Sequence, residues 1–257
     1  MDAVILPRLA AIVLFLLVSC TTAAGTPDSL EPPSFGNTVV TLTFDDGDAD
    51  TYQARSVLAA NGLHATWYVI SGFIGAEDYL TEEQLRGLHA DGNEIGGHTL
   101  SHAKLTEVRG AELRRQVCQD RLNLLSLGFD AVSFAYPFGH YDELSRQAVQ
   151  HCGYNSARTV VGGPESVPPT DAYALRAFPY IVSDVRLPKM RRYVTDAGGG
   201  WVIFIFHHIC NNCDEYSVDL ETFTAFANWL GEQQARGLPI MTVGEVVGGD
   251  VKPAAAP

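Results

Sequence analysis

The sequence is poor in basic residues. Its 257 residues include 17 lysines and arginines against 30 aspartates and glutamates, which gives a formal net charge of -13 at pH 7. A nucleic-acid-binding domain normally carries a basic face, so this shortage argues against a nucleic-acid partner. A long anionic polymer would also be repelled on average, although a local patch could reverse that effect.

The sequence has no apolar run long enough to span a membrane. The longest run, residues 9–18, follows Arg8 and has the length of a signal-peptide core. We therefore predict a signal peptide over residues 1–24 and a location outside the cytoplasm. The letters LVSC also resemble a bacterial lipobox, in which Cys20 becomes an acylated first residue. The protein is therefore either secreted or anchored by a lipid at Cys20, and the sequence does not decide between these two alternatives. A lipid at Cys20 would be its only membrane contact.

The composition favours one folded domain between two unstructured ends. Residues 25–36 are rich in proline, glycine and serine, which is typical of a linker. The length and the 46% hydrophobic content of the chain suffice for one sizeable core. We predict a single domain over residues 37–250 and a disordered tail over residues 251–257, and we expect a monomer.

Cysteines are few, and their number fits an exported protein. Without Cys20, four remain: Cys118, Cys152, Cys210 and Cys213. An even number is compatible with two disulfides in an oxidising compartment, but the sequence does not give their connectivity. The pair in CNNC could also be a redox pair or half of a zinc site. After a signal peptide we favour a small-loop disulfide.

Apolar strands alternate with helical segments along the chain, and the sequence has no internal repeat. This order implies parallel pairing, and at this length an α/β fold with a closed or nearly closed (β/α) barrel is the economical solution. A doubly wound open sheet is the alternative. The pattern predicts strands at 37–44, 65–70, 94–97, 154–158, 173–180, 201–206 and 238–243, and a strand that continues into a loop at 131–139. It predicts helices at 51–61, 81–92, 111–128, 142–153, 185–199, where the helix is interrupted, and 220–237.

Polar motifs follow four of the predicted strands. In a (β/α) barrel the functional groups come from the carboxyl ends of the strands, which all lie at one rim. We therefore expect the side chains of these motifs to lie close together. The motifs are TFDDG, GGHTLSH, FAYPFG and IFIFHH.

Two of these motifs contain pairs of groups that suit a metal site. Asp45 and Asp46 are adjacent before Gly47, so they can diverge in one pocket, one as a metal ligand and one as a proton acceptor. His98 and His102 have the spacing of one face of a helical turn, so both can point at one metal ion. A plain acidic turn and a solvated histidine pair are the alternatives for each motif alone.

The four motifs, in this order and spacing, resemble those of the polysaccharide deacetylases, carbohydrate esterases built on the NodB homology domain. The resemblance covers residues 37–247, nearly all of the predicted domain. It implies a distorted (β/α) barrel of about seven strands that holds one divalent metal, most often zinc. It also implies a hydrolase that removes acetyl groups from a polysaccharide or oligosaccharide.

The resemblance assigns roles to the two acidic residues and the two histidines. Asp46, His98 and His102 match the metal ligands of the family, and Asp45 matches the general base. An aspartate and two histidines leave coordination positions open, as a catalytic zinc site requires.

Other roles follow from the later motifs. His207 matches the general acid, and strand alternation places it on the side of the odd-numbered residues in 201–207, opposite His208, which is the fallback acid. The backbone N–H of Phe138 matches a donor to the oxyanion. Tyr136 is a candidate for a contact with the sugar, although aromatic residues beside strands are more often core.

The sequence departs from the family at one motif. The third motif of the family usually begins with an arginine that contacts the catalytic aspartate, and Ala135 occupies that place here. Arg176, at the end of a later predicted strand, is a candidate replacement, and a surface arginine is the alternative.

Three classes of function remain. The resemblance favours a metal-dependent deacetylase of an N-acetylated or O-acetylated glycan, while a non-catalytic glycan-binding relative is the second reading. A zinc peptidase or redox protein is the third and weakest, because the sequence has no His-Glu-x-x-His motif.

Overall fold

Six parallel strands form the central sheet of the computed structural model, which describes Met1 and residues 35–257. They are β1 Thr38–Phe44, β2 Thr66–Val69, β3 Glu94–Gly97, β4 Ser133–Ala135, β5 Ser156–Arg158 and β6 Gly200–Phe206. They lie side by side in the order β5-β4-β3-β2-β1-β6. Two short strands, β7 His208–Ile209 and β8 Ser217–Val218, pair apart from this sheet.

Helices connect successive strands, as parallel pairing requires. The capping box predicted at the start of the second helix is present, formed by Thr81 and Gln84. Single turns of 3₁₀-helix occur at Ala49–Gln53, Ser71–Phe73 and Pro137–Gly139, and a π-helical turn at Arg115–Gln119. The α-helices are α1 Ala54–Ala60, α2 Glu82–Ala90, α3 Gly110–Arg114, α4 Asp120–Ser126, α5 Glu143–His151, α6 Leu187–Thr195, α7 Leu220–Gln234 and α8 Val243–Val247.

Residues 172–181 connect the two edges of the sheet. Leu175 forms a bridge with Arg158 at the end of β5, and Tyr180 forms one with Ile205 in β6. The predicted distorted (β/α) barrel is therefore confirmed, with six regular strands and one irregular segment in place of about seven strands.

Two predicted strands are not regular strands in the structure. Residues 173–180 form isolated bridges, because Pro179 has no N–H to donate to a ladder. Residues 238–243 contribute a single bridge, between Ile240 and Val40, and the chain then turns directly into α8.

Two other local predictions also need correction. The helix expected to be interrupted within residues 185–199 is continuous, because Pro188 lies in its first turn, where an N–H has no helical partner. In the tail expected to be disordered, the carbonyl oxygens of Lys252 and Pro253 accept hydrogen bonds from the buried guanidinium of Arg121.

The alternation of β6 separates two apolar clusters. Trp201, Ile203 and Ile205 pack inside the barrel with residues from β2 and β4. Phe204 and Phe206 pack in the larger cluster, together with apolar residues of the helices. Because side chains of a strand point alternately to its two faces, the next odd-numbered residue also faces the interior.

Two disulfides form, Cys118–Cys152 and Cys210–Cys213, and the second is the small-loop disulfide that we favoured. The signal peptide, Cys20 and most of the predicted linker lie outside the described residues. Within Met1 and residues 35–257, no helix has both the length and the apolar character that a membrane span needs.

Candidate active site

The carboxyl ends of the strands bring the predicted site residues to one rim of the barrel. Phe44 pairs with Phe206 at the ends of β1 and β6, so Asp45 and His207 leave the sheet side by side. His98 directly follows β3, which is separated from β1 by β2 alone. The strand-end rule therefore selected residues that do lie together.

Asp46, His98 and His102 form a cluster with the geometry of a metal site. The Oδ1 atom of Asp46 lies 3.3 Å from Nε2 of His98 and 3.2 Å from Nε2 of His102. One ligand atom from each residue lies within 4.8 Å of the others. Zinc bonds of about 2.0–2.1 Å at tetrahedral angles set neighbouring ligand atoms about 3.3 Å apart, so the three residues fit such an ion.

The hydrogen bonding of His98 supports the same conclusion. Its Nδ1 lies 2.7 Å from the carbonyl oxygen of Ala135, which can only accept, so Nδ1 carries the proton. When the ring is neutral, its Nε2 therefore carries no proton and presents a lone pair toward Asp46. Among the described residues, the buried Oδ1 of Asp46 has no hydrogen-bond partner. A cation would satisfy these convergent lone pairs.

The protonation of Asp46 also suits a metal ligand. Burial raises the pKa of this carboxyl, but when the two imidazoles are protonated, the interaction with His98 and then the charge of His102 outweigh burial and hold the pKa below its usual value. A cation bound in place of these protons would act in the same direction. Asp46 is therefore a carboxylate at neutral pH, which is the form that binds a cation.

A glycine in front of His98 is required by close packing. A Cβ on Gly97 would collide with the hydroxyl of Tyr154 and with the carboxylate of Asp120. These two groups are themselves joined by a hydrogen bond of 2.7 Å. The packing of β3 against them fixes the point at which His98 leaves the strand.

The loop after β3 sets the position of the second histidine. His102 lies in a turn with a positive φ of 56°, so the two histidines converge through a loop rather than along the expected helical turn. Gln116 anchors this loop through two hydrogen bonds. Its backbone carbonyl oxygen accepts from the N–H of Leu100 at 2.9 Å, and its side-chain Oε1 accepts from the backbone N–H of Ser101 at 3.1 Å.

Arg158, which we did not single out from the sequence, supplies the cation beside Asp45. Its guanidinium is 0% exposed and donates a hydrogen bond to Oδ2 of Asp45. Arg176, the candidate from the sequence, is exposed and donates to the carbonyl oxygen of Gly162 instead. That prediction was wrong. The strand-end rule could have found Arg158, because it is the last residue of β5.

The two adjacent histidines face different partners, as alternation predicts. Nε2 of His207 lies 3.9 Å from Oδ2 of Asp45. His208 points away from that carboxylate, with Nδ1 3.0 Å from Oδ2 of Asp50 and Nε2 3.6 Å from Oδ2 of Asp48. Burial lowers the pKa of His207, whereas the hydrogen bond to Asp50 raises the pKa of His208 to about 9.

The aromatic residues of the YPFG loop differ in exposure. Tyr136 is 1% exposed, its hydroxyl donates to the carbonyl oxygen of Tyr173, and its ring stacks on Tyr141. This burial argues against the expected contact between Tyr136 and a sugar. Phe138 is 51% exposed, has a positive φ of 59°, and lies with its ring 4.6 Å from that of His102.

Comparison with known families agrees with this geometry. Residues 33–157 match the family described as polysaccharide deacetylase. This segment, just under half of the chain, is similar to that family. The chain is also 31% identical over 129 residues to YxkH of Bacillus subtilis (strain 168), whose name places it among the polysaccharide deacetylases. That match covers 49% of this chain and 46% of YxkH, so the chain spans less than half of that relative's length.

Two solved structures share the fold. The deacetylase PplD of Streptococcus pyogenes, solved in complex with acetate, is 27% identical with a TM-score of 0.51, over 54% of this chain and 62% of PplD. The Xyl-CE4 domain of a xylanase from the hindgut metagenome of Trinervitermes trinervoides has a TM-score of 0.60 at 17% identity, over 82% and 90% of the two chains. At that identity the second likeness concerns the fold alone.

Proposed function

We propose that this protein is a metal-dependent hydrolase that removes acetyl groups from an N-acetylated or O-acetylated glycan outside the cytoplasm. The observation that carries the proposal is the convergence of Asp46, His98 and His102 beside a buried Asp45–Arg158 pair, in a chain whose residues 33–157 match the polysaccharide deacetylase family. A cation bound at this cluster would lie next to Asp45, which Arg158 holds in place. This arrangement suits hydrolysis, because the cation would activate a water molecule and the carboxylate would accept its proton.

The cation would be bound by Asp46, His98 and His102, and we propose zinc. When bound, it would supply Lewis acidity for the acetyl carbonyl and would make an attacking water more acidic. Each histidine would present Nε2, and the hydrogen bond from His98 to the carbonyl oxygen of Ala135 keeps that ring in the required tautomer.

Asp45 and His207 would move the protons of the reaction. Asp45, oriented by its hydrogen bond from Arg158, would accept the proton of the attacking water. His207, whose Nε2 faces the same rim, would donate a proton to the departing nitrogen. The two groups lie 3.9 Å apart, so the proton would return from Asp45 to His207 after turnover through one water molecule or after a small closure of this distance. The backbone N–H of Phe138 would stabilise the negative charge that develops on the carbonyl oxygen.

The cellular setting is part of the same proposal. Two disulfides suit an oxidising compartment, and the sequence in front of the domain is typical of an export signal. We propose a secreted or lipid-anchored monomer whose partner is an acetylated polysaccharide or oligosaccharide. Its only membrane attachment would be a lipid at Cys20.

The alternative, a glycan-binding relative without activity, is not favoured. Such a relative would have lost the base, the acid or a metal ligand, and this chain has Asp45, Asp46, His98, His102 and His207 at one rim.

The test is acetate release from a panel of glycans. The purified protein would be stripped with a chelator, reloaded with zinc, and assayed on chitin oligomers, peptidoglycan, poly-N-acetylglucosamine and acetylated xylan. We expect acetate from at least one substrate with zinc and none after chelation. Binding of a glycan without acetate release under any metal condition would favour the alternative instead.

A further inference from the structure

The acid candidate His207 is oriented without a hydrogen bond at its second ring nitrogen. Nδ1 is buried and, among the described residues, has no hydrogen-bond partner. A histidine that transfers protons is usually fixed by a carbonyl or carboxylate at the nitrogen that does not react. Something else must hold this ring with Nε2 toward Asp45.

Two tyrosine rings contact the imidazole of His207. The ring of Tyr180 is stacked on it, with centroids 5.6 Å apart and planes that differ by 9°. The ring of Tyr216 lies at 5.4 Å and is tilted by 47°. The parallel ring of Tyr180 restrains rotation of the imidazole out of its plane, because such a rotation would drive one edge of the imidazole into the tyrosine.

The backbone fixes Tyr180 to the same strand that carries His207. The N–H of Ile205 donates to the carbonyl oxygen of Pro179 at 3.0 Å, and the N–H of Ile181 donates to that of Ile205 at 3.0 Å. Tyr180 thus lies between two hydrogen bonds to β6. Both bonds involve Ile205, which precedes His207 by two residues. The tyrosine and the histidine therefore have a constant relative position.

We propose that Tyr180 is a positioning residue for His207, whose ring face holds the imidazole with Nε2 toward Asp45 in place of a hydrogen bond at Nδ1. The inference rests on the proposed function, because that function makes His207 the acid. The face of an aromatic ring also attracts a cation, so Tyr180 favours the protonated imidazole without accepting its proton.

The test compares Tyr180→Phe, which keeps the ring, with Tyr180→Leu, which removes it. Phe178→Leu is the matched control, since Phe178 lies in the same segment and packs edge-on against Tyr193 of α6. Each zinc-loaded protein would be assayed on N-acetylated chitin oligomers. We expect Tyr180→Leu to lower kcat by about tenfold or more, with KM changed by less than about threefold. Tyr180→Phe and Phe178→Leu should keep kcat within about threefold of the wild type.

A second measurement does not depend on activity. Ring proton and nitrogen NMR spectra of His207, assigned with a His207→Gln protein, report the ring current of Tyr180. We expect the ring current to shift the ring-proton signals of His207, and we expect this shift to persist in Tyr180→Phe and to be lost in Tyr180→Leu. In Tyr180→Leu the same signals should also broaden as the imidazole becomes mobile. An unchanged His207 signal in Tyr180→Leu, or an unchanged kcat, would overturn the proposal. If the wild type releases no acetate, the proposed function fails, and the spectra alone then decide whether Tyr180 orients His207.

Discussion

Arg158, the last residue of β5, donates a hydrogen bond to the carboxylate of Asp45, the first residue after β1. The two strands are not neighbours, because β4, β3 and β2 lie between them in the sheet. The arginine therefore reaches across the interior of the barrel, where its guanidinium lies 5.2 Å from the ring of Tyr68. A buried pair of this kind fixes the orientation of Asp45.

Arg158→Met should destabilise the fold and abolish most of the activity. Removing one partner of a buried ion pair leaves an uncompensated charge and typically costs about 3–5 kcal/mol. Urea denaturation would measure this loss. Arg176→Met is the control, because Arg176 is exposed, and its free energy of unfolding should stay within about 0.5 kcal/mol of the wild type. A similar loss of unfolding free energy in both proteins would show that the ion pair between Arg158 and Asp45 does not stabilise the fold.

Asp45→Asn should keep the metal and lose most of the rate. The neighbouring Asp46 is the acidic member of the metal cluster, and an amide cannot accept a proton from water. Metal content and acetate release would be measured on the same preparation of each protein. Asp46→Asn, in contrast, should lose both. Equal loss of metal from the two proteins would show that their roles are assigned wrongly.

His207→Ala should lose far more activity on an amide than His208→Ala. His207 faces Asp45, whereas His208 pairs with Asp50, so under the proposed mechanism only His207 is placed to protonate the departing nitrogen. We expect a loss on the order of a hundredfold for an acetamide substrate. An aryl acetate should lose less, because its leaving group does not need a proton. A larger amide-specific loss in His208→Ala would transfer the role to His208.

The stability of the protein should fall at alkaline pH through His208. Its hydrogen bond to Asp50 raises its folded-state pKa from 6.5 to about 9. The stabilisation is therefore complete below pH 6.5 and is lost as the pH rises through 9. Solvent screening limits the effect to about 1 kcal/mol or less. The free energy of unfolding of His208→Gln should fall less between these pH values, and an identical fall in both proteins would refute the linkage.

The sequence predicted the elements whose pattern is local. The β-branched run of β1 and the apolar run of β6 were clear, and the rule that groups cluster at the ends of parallel strands placed Asp45, His98 and His207 at one rim. The bridging segment around Tyr180 was less predictable, since Pro179 breaks its ladder and only contacts with β5 and β6 hold it in place.

The errors concern side chains whose partners are distant in sequence. Arg158 contacts Asp45 across a separation of 113 residues, and its position at a strand end does not by itself identify Asp45 as its partner. Tyr136 and Phe138 both lie just after β4, and the sequence does not show which of the two rings is buried. The stacking of Tyr136 on Tyr141 and its hydrogen bond to Tyr173 show that its ring is the buried one.

The most direct test of the central claim is the metal content of the wild type and of His102→Ala, measured by mass spectrometry after loading with zinc and removal of the excess. Nε2 of His102 lies 3.2 Å from Oδ1 of Asp46 at the cluster, so its loss removes one of three ligands. We predict close to one zinc ion per wild-type chain, almost none in His102→Ala, and a parallel loss of acetate release. His151→Ala, which alters an exposed histidine at the end of α5, should bind like the wild type. Full zinc occupancy in His102→Ala would contradict the metal site and, with it, the proposed mechanism.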